Sequence, residues 1–297
     1  MILVNENKYL IDKRSGVKAM KLKRSERLID MTNYLINHPR TLITSGFFVK
    51  RYSSAKSSIS EDLSIMKSTL AKRQLGTIEI TNGAAGGIKY LPGIGKAEAQ
   101  KVIQDLTEQL SDPDRKLPGG YLYMSDLLGH PDTLRAIGRM LASEYVFSDV
   151  DAVMTVETKG IPLAQAVANY LNVPFIIVRH ESVITEGSTI SVNYVSRSSE
   201  RIQKMELSKR SLQRGMKVLI VDDFMKGGGT VHAMVDLLKE FEAELIGISV
   251  LAEGTYKGQR AIEDFTSLLN VDTSQAGQVQ IKAGNYFERN FKEDTKE

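Results

Sequence analysis

The stretch at residues 217–230, which reads Lys-Val-Leu-Ile-Val-Asp-Asp-Phe-Met-Lys-Gly-Gly-Gly-Thr, constrains the fold of this chain most strongly. Its first five residues form a run rich in β-branched side chains, which is typical of a buried strand in a parallel sheet. Asp222 and Asp223 follow that run, and three glycines come shortly after them. An apolar pattern with helical spacing begins at Thr230. The stretch therefore predicts a buried strand, a glycine loop and the start of a helix.

The residues of this loop are of the kinds that bind a phosphorylated sugar. Glycines let backbone N–H groups turn toward an anion, and a helix that begins there presents the positive end of its dipole. Adjacent carboxylates can accept hydrogen bonds from two neighbouring hydroxyl groups, as on a ribose. The alternative is a plain connection, in which the glycines only permit the turn and the aspartates only act as caps. The combination favours a ligand site, whose candidate residues are Asp222, Asp223, Phe224, Met225, Lys226, Gly227, Gly228, Gly229 and Thr230.

Strands alternate with helices through the rest of the second part of the chain, which predicts an α/β fold with a mostly parallel sheet. We predict further strands at residues 150–156, 173–178, 245–251 and 279–281. One helix should end at Leu171, another should lie near residues 260–269, and a polar tail should begin at Gly284. A hairpin at residues 183–195 is expected to form a mobile cover over the site.

A second loop, after the strand at residues 150–156, contains Thr158, Lys159 and Gly160 and leads into a helix. Ligands bind at the carboxyl edge of open α/β sheets, where this loop and the glycine loop should both lie. A lysine followed by a glycine is usually only a surface turn. Beside the glycine loop, these three residues suit a diphosphate.

The first part of the chain differs from the remainder in charge. Residues 20–90 contain 12 Lys and Arg against 5 Asp and Glu, whereas residues 91–297 contain 23 against 29. The basic part should prefer a polyanion, so the two parts are predicted to have different roles. We place the domains at residues 20–92 and 93–297, because Pro92, Gly93 and Gly95 are typical of a linker. Residues 1–19 form an N-terminal extension to which we assign no function.

Three helices and a β-hairpin are predicted in the basic part. The third helix begins near Lys56 and repeats apolar residues four, three and four positions apart, and a turn at residues 82–87 joins two strands. This is the winged helix-turn-helix arrangement, in which the N-terminus of the third helix enters the major groove of DNA. The alternative is a small oligomerisation module with a solvated charged face. The charge favours DNA, with contacts from Lys50, Arg51, Lys56, Ser57, Ser58, Ser60, Lys67 and Lys89.

Composition excludes several classes of function. The chain has no cysteine, which rules out disulfides, thiolate catalysis and cysteine metal sites. Its four histidines are scattered, so we expect no metal site. The sequence contains no apolar run of transmembrane length and no secretory signal, so we expect a cytoplasmic protein without a membrane partner.

The motif at residues 221–230 resembles the phosphoribosyl pyrophosphate (PRPP) signature of type I phosphoribosyltransferases. It departs from that signature at Lys226 and Gly227, where the enzymes usually carry small or hydroxyl residues. From about residue 20 to residue 290, the chain also resembles the purine operon repressors of Gram-positive bacteria. The motifs that carry this second resemblance are the one at 221–230 together with Lys-Ser-Ser-Ile-Ser-Glu-Asp-Leu at 56–63, Asn-Gly-Ala-Ala-Gly-Gly at 82–87, Leu-Pro-Gly-Gly-Tyr at 117–121 and Thr-Lys-Gly-Ile-Pro at 158–162.

The resemblance implies a homodimer that binds operators of purine genes and is released from DNA when PRPP binds. Asp222 and Asp223 would hold the ribose hydroxyls, and the glycine loop would hold the 5′-phosphate. PRPP would act as an effector, with or without Mg²⁺ and in competition with guanine nucleotides, and no cofactor or catalysis is implied. The alternative is an active purine phosphoribosyltransferase. That alternative explains only the second part of the chain, in which we find no set of residues specific for a nucleobase.

Overall fold

The computed structural model describes residues 22–83, 86–181, 184–196, 201–274 and 279–291. The chain divides into two compact units and passes from the first to the second between Gly95 and Lys96. The predicted extension at residues 1–19 lies outside the described residues. In the described part of the chain, no helix combines the length and the apolar character that crossing a membrane requires.

The first unit consists of three helices and a hairpin: α1 (Arg24–Asn37), α2 (Ser45–Tyr52), α3 (Lys56–Lys72), β1 (Gly76–Thr81) and β2 (Gly87–Pro92). The spacing of four, three and four residues in α3 places its apolar side chains on one face of the helix, and all four are buried: Ile59, Leu63, Met66 and Leu70. They form one hydrophobic core with residues of α1, α2 and the hairpin, among them Met31 and Phe48.

A tight turn and the hairpin complete the winged arrangement. Ser53 adopts a left-handed backbone (φ 48°) and ends α2, so that α3 can begin three residues later. β1 and β2 pair antiparallel from Gly76 opposite Pro92 to Thr81 opposite Gly87. Residues 84 and 85 of the predicted turn lie outside the described residues. The winged helix-turn-helix prediction for this part of the chain is confirmed.

The second unit is built around a six-stranded sheet. In chain order its elements are α4 (Lys96–Leu110), β3 (Lys116–Leu117), β4 (Tyr121–Leu122), α5 (Ser125–Gly129), α6 (Pro131–Ser143), β5 (Ala152–Val156), α7 (Gly160–Leu171), β6 (Phe175–Val178), β7 (Thr189–Ser196), β8 (Arg201–Ser208), β9 (Lys217–Met225), α8 (Gly229–Glu240), β10 (Glu244–Gly254), β11 (Thr266–Asp272), β12 (Gln280–Ala283) and α9 (Tyr286–Asn290).

The order of strands in this sheet is β12–β11–β10–β9–β5–β6. Five strands are parallel, and only the edge strand β12 runs antiparallel to its neighbour. β9 lies inside the sheet between β5 and β10, and its residues from Val218 to Val221 are fully buried. Because the carboxyl ends of β5 and β9 are neighbours, the loops that follow them lie at the same edge. The predicted α/β fold with a mostly parallel sheet is confirmed.

Two predictions near the C-terminal end are wrong. Residues 260–269 do not form a helix, because β11 begins at Thr266 and its first four residues are buried. The apolar residues of that segment fit helical spacing, but a strand buried on both faces produces a similar apolar run. The stretch from Gly284 is not a polar tail throughout, since α9 follows it and the side chain of Tyr286 is fully buried. Residues 292–297 lie outside the described residues.

The predicted hairpin at residues 183–195 is larger in the structure than in the prediction. β7 and β8 pair antiparallel from Thr189 opposite Ser208 to Ser196 opposite Arg201. Val183 lies outside the described residues. The sequence pattern identified only the first strand, because β8 carries charged residues at positions 201, 204 and 206 that interrupt the apolar alternation.

Candidate functional site

The acidic pair lies at the carboxyl end of β9. Asp222 is 4% exposed, and its Oδ1 accepts a hydrogen bond of 3.0 Å from the backbone N–H of Asp223. Burial raises the pKa of Asp222 well above the usual value for an aspartate, and the adjacent charge of Asp223 raises it further. Burial also raises the pKa of Asp223, whereas the positive charge of Lys159 acts to lower it. Hydroxyl groups that donate to this pair would stabilise its charged form.

The glycine loop joins β9 to α8 and forms part of a cleft. Gly228 is the N-cap of α8 and has a φ of 75°, a left-handed conformation that glycine adopts without strain. The first N–H groups of a helix have no acceptor within that helix, so those of Gly229, Thr230 and Val231 are available to an anion. With Asp222 and Tyr121, these residues line an open cleft. The cleft suits a phosphate that carries a sugar.

The loop after β5 lies against the same carboxylate. A Cβ on Gly160 would come within 2.1 Å of Thr155 Oγ1 and 3.0 Å of Asp222 Oδ1, so only glycine fits at this position. Lys159 is close enough for its charge to lower the pKa of Asp223. The structure therefore brings together the two loops that the sequence analysis identified separately.

Glu157 holds the start of that loop. Its carboxylate accepts hydrogen bonds from Arg179 Nη1 at 3.0 Å and from the backbone N–H of His180 at 2.8 Å. Arg179 Nε also donates to Glu186 at 3.2 Å, so one guanidinium joins this loop to the segment before β7. The peptide bond between Glu157 and Thr158 is cis. Glu157 and Arg179 were not predicted to have a role, because the sequence contains no signal that residues this far apart are paired.

A further segment of chain reaches the cleft at Tyr121, which lines it, and this segment was not predicted to belong to the site. Lys226 Nζ donates to the carbonyl oxygen of Gly119 at 2.8 Å, and Thr273 Oγ1 donates to that of Gly120 at 3.2 Å. The rings of Tyr121 and Phe224 lie 5.6 Å apart. The Leu-Pro-Gly-Gly-Tyr motif was the available signal, since two glycines before an aromatic residue indicate a turn that can approach another loop closely.

Most of the predicted DNA contacts lie on the exposed side of α3. The side chains of Lys56, Ser57, Ser60 and Lys67 are exposed, and that of Ser58 is half-buried. Lys50, in α2, is also exposed. Short polar side chains and lysines at the start of a recognition helix can reach both base edges and phosphates.

Two other predicted DNA contacts already have acidic partners. Arg51 Nε and Nη2 donate to Asp30 at 2.9 and 3.3 Å, and the guanidinium carbon lies 5.2 Å from the centre of the Tyr34 ring. Lys89 lies 3.8 Å from Glu79 across the hairpin. These pairings neutralise part of the charge that Arg51 and Lys89 could offer to a phosphate. Among the predicted DNA contacts, Lys50 in α2 and Lys56 and Lys67 in α3 have no acidic partner within the described residues.

Two family models match this chain. The model for the bacterial purine repressor, N-terminal, matches residues 23–92, and the phosphoribosyl transferase domain matches residues 124–283.

Three curated proteins show how far the similarity extends. The purine biosynthesis transcriptional repressor PurR of Bacillus subtilis is 50% identical over 277 residues, which cover 93% of this chain and 97% of the relative. The purine biosynthesis transcriptional activator PurR of Lactococcus lactis subsp. lactis is 47% identical over 268 residues, which cover 90% of this chain and 99% of the relative. A xanthine phosphoribosyltransferase of Oenococcus oeni is 27% identical over 193 residues, which cover 62% of this chain and 94% of the relative. With half of its residues identical to the first of these over nearly its whole length, the chain belongs to the bacterial purine repressor (PurR) family of transcriptional regulators of purine biosynthesis.

Proposed function

We propose that this protein is a cytoplasmic repressor of genes for purine synthesis and transport, and that PRPP binding to the second unit releases it from operator DNA. The observation that carries the proposal is the position of Asp222 and Asp223. They lie at the end of a buried strand, between a glycine loop at the start of α8 and the loop that contains Gly160. Together these features offer acceptors for a sugar and donors for phosphates within one site.

Each part of PRPP has a counterpart in this site. Asp222 and Asp223 would accept hydrogen bonds from the 2′- and 3′-hydroxyls of the ribose, and the N–H groups at the start of α8 would bind the 5′-phosphate. The loop of Thr158, Lys159 and Gly160 would bind the diphosphate. Hydrogen bonds to charged groups contribute about 1.5–3 kcal/mol each. Guanine nucleotides carry the same ribose and phosphate groups and would compete, and Mg²⁺ would accompany PRPP by binding its diphosphate oxygens.

The first unit would bind DNA with the N-terminus of α3 in the major groove. Lys56 and Lys67 would contact phosphates, which determines affinity, and Ser57 and Ser60 would approach base edges, which determines sequence. We propose that the protein acts as a homodimer, since a twofold protein matches two half-sites of an operator.

Relatives of similar identity are named both as repressor and as activator, so the direction of regulation needs its own test. We favour repression, because the relative named as repressor is 50% identical and the one named as activator 47%. Deleting the gene for a repressor raises transcription of its target genes, and deleting the gene for an activator lowers it. Transcript levels of purine genes in a deletion strain distinguish the two.

The second candidate function is a purine phosphoribosyltransferase, which the match to a xanthine phosphoribosyltransferase favours. Against it, Lys226 and Gly227 depart from the enzyme motif, and the residues that the structure describes include no set of side chains that we can assign to a nucleobase. The test combines PRPP binding by calorimetry with pyrophosphate release in the presence of Mg²⁺ and each purine base. We expect binding without release of pyrophosphate. Base-dependent release would establish the enzyme, and no detectable PRPP binding would refute the proposed effector.

A further inference from the structure

A buried ion pair links α1 to α3 in the first unit. The side chain of Asp62 is 0% exposed and Arg27 is 8% exposed, and Arg27 Nε lies 2.5 Å from Asp62 Oδ2. Arg24, whose side chain is 53% exposed, adds a contact of 3.3 Å from its Nε to Asp62 Oδ1. A charged pair with so little exposure is unusual in a small helical core, and neither residue was predicted to have a role.

The Arg27 guanidinium also reaches the turn before α3. Its Nη1 donates to Ser54 Oγ at 3.4 Å, and Ser54 Oγ donates to the carbonyl oxygen of Tyr52 at 3.1 Å. A single side chain of α1 therefore contacts the end of the turn and the first half of α3. These are the elements that place the start of the proposed recognition helix.

The buried carboxylate lies on the side of α3 away from Lys56, Ser57, Ser60 and Lys67, whereas the half-buried Ser58 lies about 40° around the helix from it. Each residue turns an α-helix by about 100°, so Ser60 lies nearly opposite Asp62, and Lys56 and Ser57 are also far around the helix from it. A rotation of α3 by about 20° would move a side-chain atom at a radius of about 5 Å by about 2 Å. That displacement breaks a hydrogen bond to a base edge, whereas the attraction of a lysine to a phosphate falls only gradually with distance.

Stability alone does not explain this pair. Removing one partner of a buried ion pair is destabilising, but replacing both with apolar residues of similar volume is often neutral or stabilising. Apolar packing is not directional, whereas a guanidinium and a carboxylate bind in defined orientations. We infer that Arg27 and Asp62 are positioning residues, which fix the rotation of α3 about its axis and thereby aim Ser57 and Ser60 at the DNA bases.

This inference rests on the proposed function, because it takes α3 as the recognition helix. The test begins with a duplex that the parent protein selects from a random-sequence library, and with a random-sequence duplex of the same length. The readout is the ratio of the affinities for the two duplexes. A parent protein that selects no duplex would refute DNA recognition itself, whatever the ion pair does.

The main variant is the full chain with Arg27→Met and Asp62→Leu together. We expect it to fold with a melting temperature close to that of the parent and to bind the random duplex with similar affinity. Its affinity for the selected duplex should fall by about tenfold, since base contacts are lost while phosphate contacts remain. A folded double variant with the parent ratio would overturn the inference.

Two further variants keep the test decisive. Arg27→Lys retains the charge but lacks the planar fork that spans Asp62 and Ser54, so its ratio should fall by about threefold or more. If the double variant does not fold, the affinity ratio of Arg27→Lys tests the inference instead. If neither variant folds, the pair serves stability alone and the inference is overturned. Arg24→Met removes the half-exposed contact to the same carboxylate and should keep the parent ratio. If Arg24→Met lowered the affinity ratio as much as the double variant does, the buried pair would have no special role.

Discussion

The ammonium group of Lys226 donates to the carbonyl oxygen of Gly119 at 2.8 Å. This bond joins the glycine loop after β9 to the turn before β4, which are far apart in the sequence. Thr273, directly after β11, holds the same turn through a 3.2 Å bond to the carbonyl oxygen of Gly120. Lys226, which departs from the enzyme motif, therefore holds one wall of the cleft in place instead of extending into solvent.

We expect Lys226→Met to weaken PRPP binding by about threefold or more. An exposed ion pair contributes only about 0–1 kcal/mol, but Lys226 is half-buried and its loss removes both a positive charge and an anchor of the turn. Calorimetry at two salt concentrations measures the effect. The matched control is Lys257→Met, which removes an exposed lysine from a nearby loop of the same unit. Equal affinities for the two variants would mean that Lys226 does not contribute to the site.

Gly160→Ala should damage the site through packing. The added methyl group would lie 2.1 Å from Thr155 Oγ1 and 3.0 Å from Asp222 Oδ1, so that one or both must move. We expect a destabilisation of about 1–3 kcal/mol, as for other overpacked positions, and a loss of PRPP affinity of about tenfold. Gly129→Ala is the control, since a Cβ there meets nothing within 4 Å. If Gly160→Ala binds PRPP as Gly129→Ala does, the close approach of Gly160 to Asp222 is not needed for binding.

Asp222→Asn should stabilise the free protein. Burial raises the pKa of Asp222 in the folded state above its pKa in the unfolded chain. Asp222 therefore lowers the stability of the folded protein most at pH values above the raised pKa, and this loss disappears as the pH falls to the pKa of the unfolded chain. We expect the melting temperature to rise at neutral pH by about 2–4 °C, the shift that about 1 kcal/mol produces in a domain of this size. The gain should shrink as the pH is lowered. A gain that is the same at acidic and neutral pH would mean that the charge of Asp222 is not its cause.

The parts of the fold that could be predicted are those determined by local pattern. The apolar spacing after Lys56 predicted α3 because it repeats with the helical period. The apolar run before Asp222 predicted β9 because it is rich in β-branched residues and is followed by aspartates and glycines. β11 was predicted as a helix, since a short apolar run buried on both faces does not distinguish strand from helix. The burial of Tyr286 was also missed, because it depends on the Tyr286 hydroxyl bonding to Ser143 Oγ, far away in the sequence.

In the candidate site, too, features with a local sequence pattern could be predicted and contacts between distant segments could not. Its two loops could be predicted because glycines, aspartates and a lysine at strand ends carry a chemical signal. The contacts of Lys226 with Gly119 and of Arg179 with Glu157 could not, since each joins segments whose pairing depends on the topology of the sheet. The pairing of Arg51 with Asp30 could not be predicted either, because it joins two separate helices; the phosphate contact of Arg51 stays a prediction.

Lys56→Ala is a better test of the DNA surface than Arg51→Ala, which would also remove the only arginine that the structure pairs with Asp30 in the described residues. Lys56 is exposed at the first position of α3. Losing one phosphate contact should lower the slope of log affinity against log salt concentration by about 0.9. Lys72→Ala, an exposed lysine in the last turn of the same helix, is the control and should leave the slope unchanged. If Lys72→Ala lowered the slope and Lys56→Ala did not, the DNA surface would lie at the other end of α3.

The most direct test of the whole account is the titration of PRPP into the complex of the protein with its selected DNA duplex, followed by fluorescence anisotropy. The parent protein should leave the DNA as PRPP is added. The variant with Asp222→Asn and Asp223→Asn together should bind the duplex with parent affinity, and should need about tenfold more PRPP, or more, for release, because the ribose loses its charged acceptors. Release of this variant at the parent's PRPP concentration, or a parent complex that PRPP does not dissociate, would contradict the account.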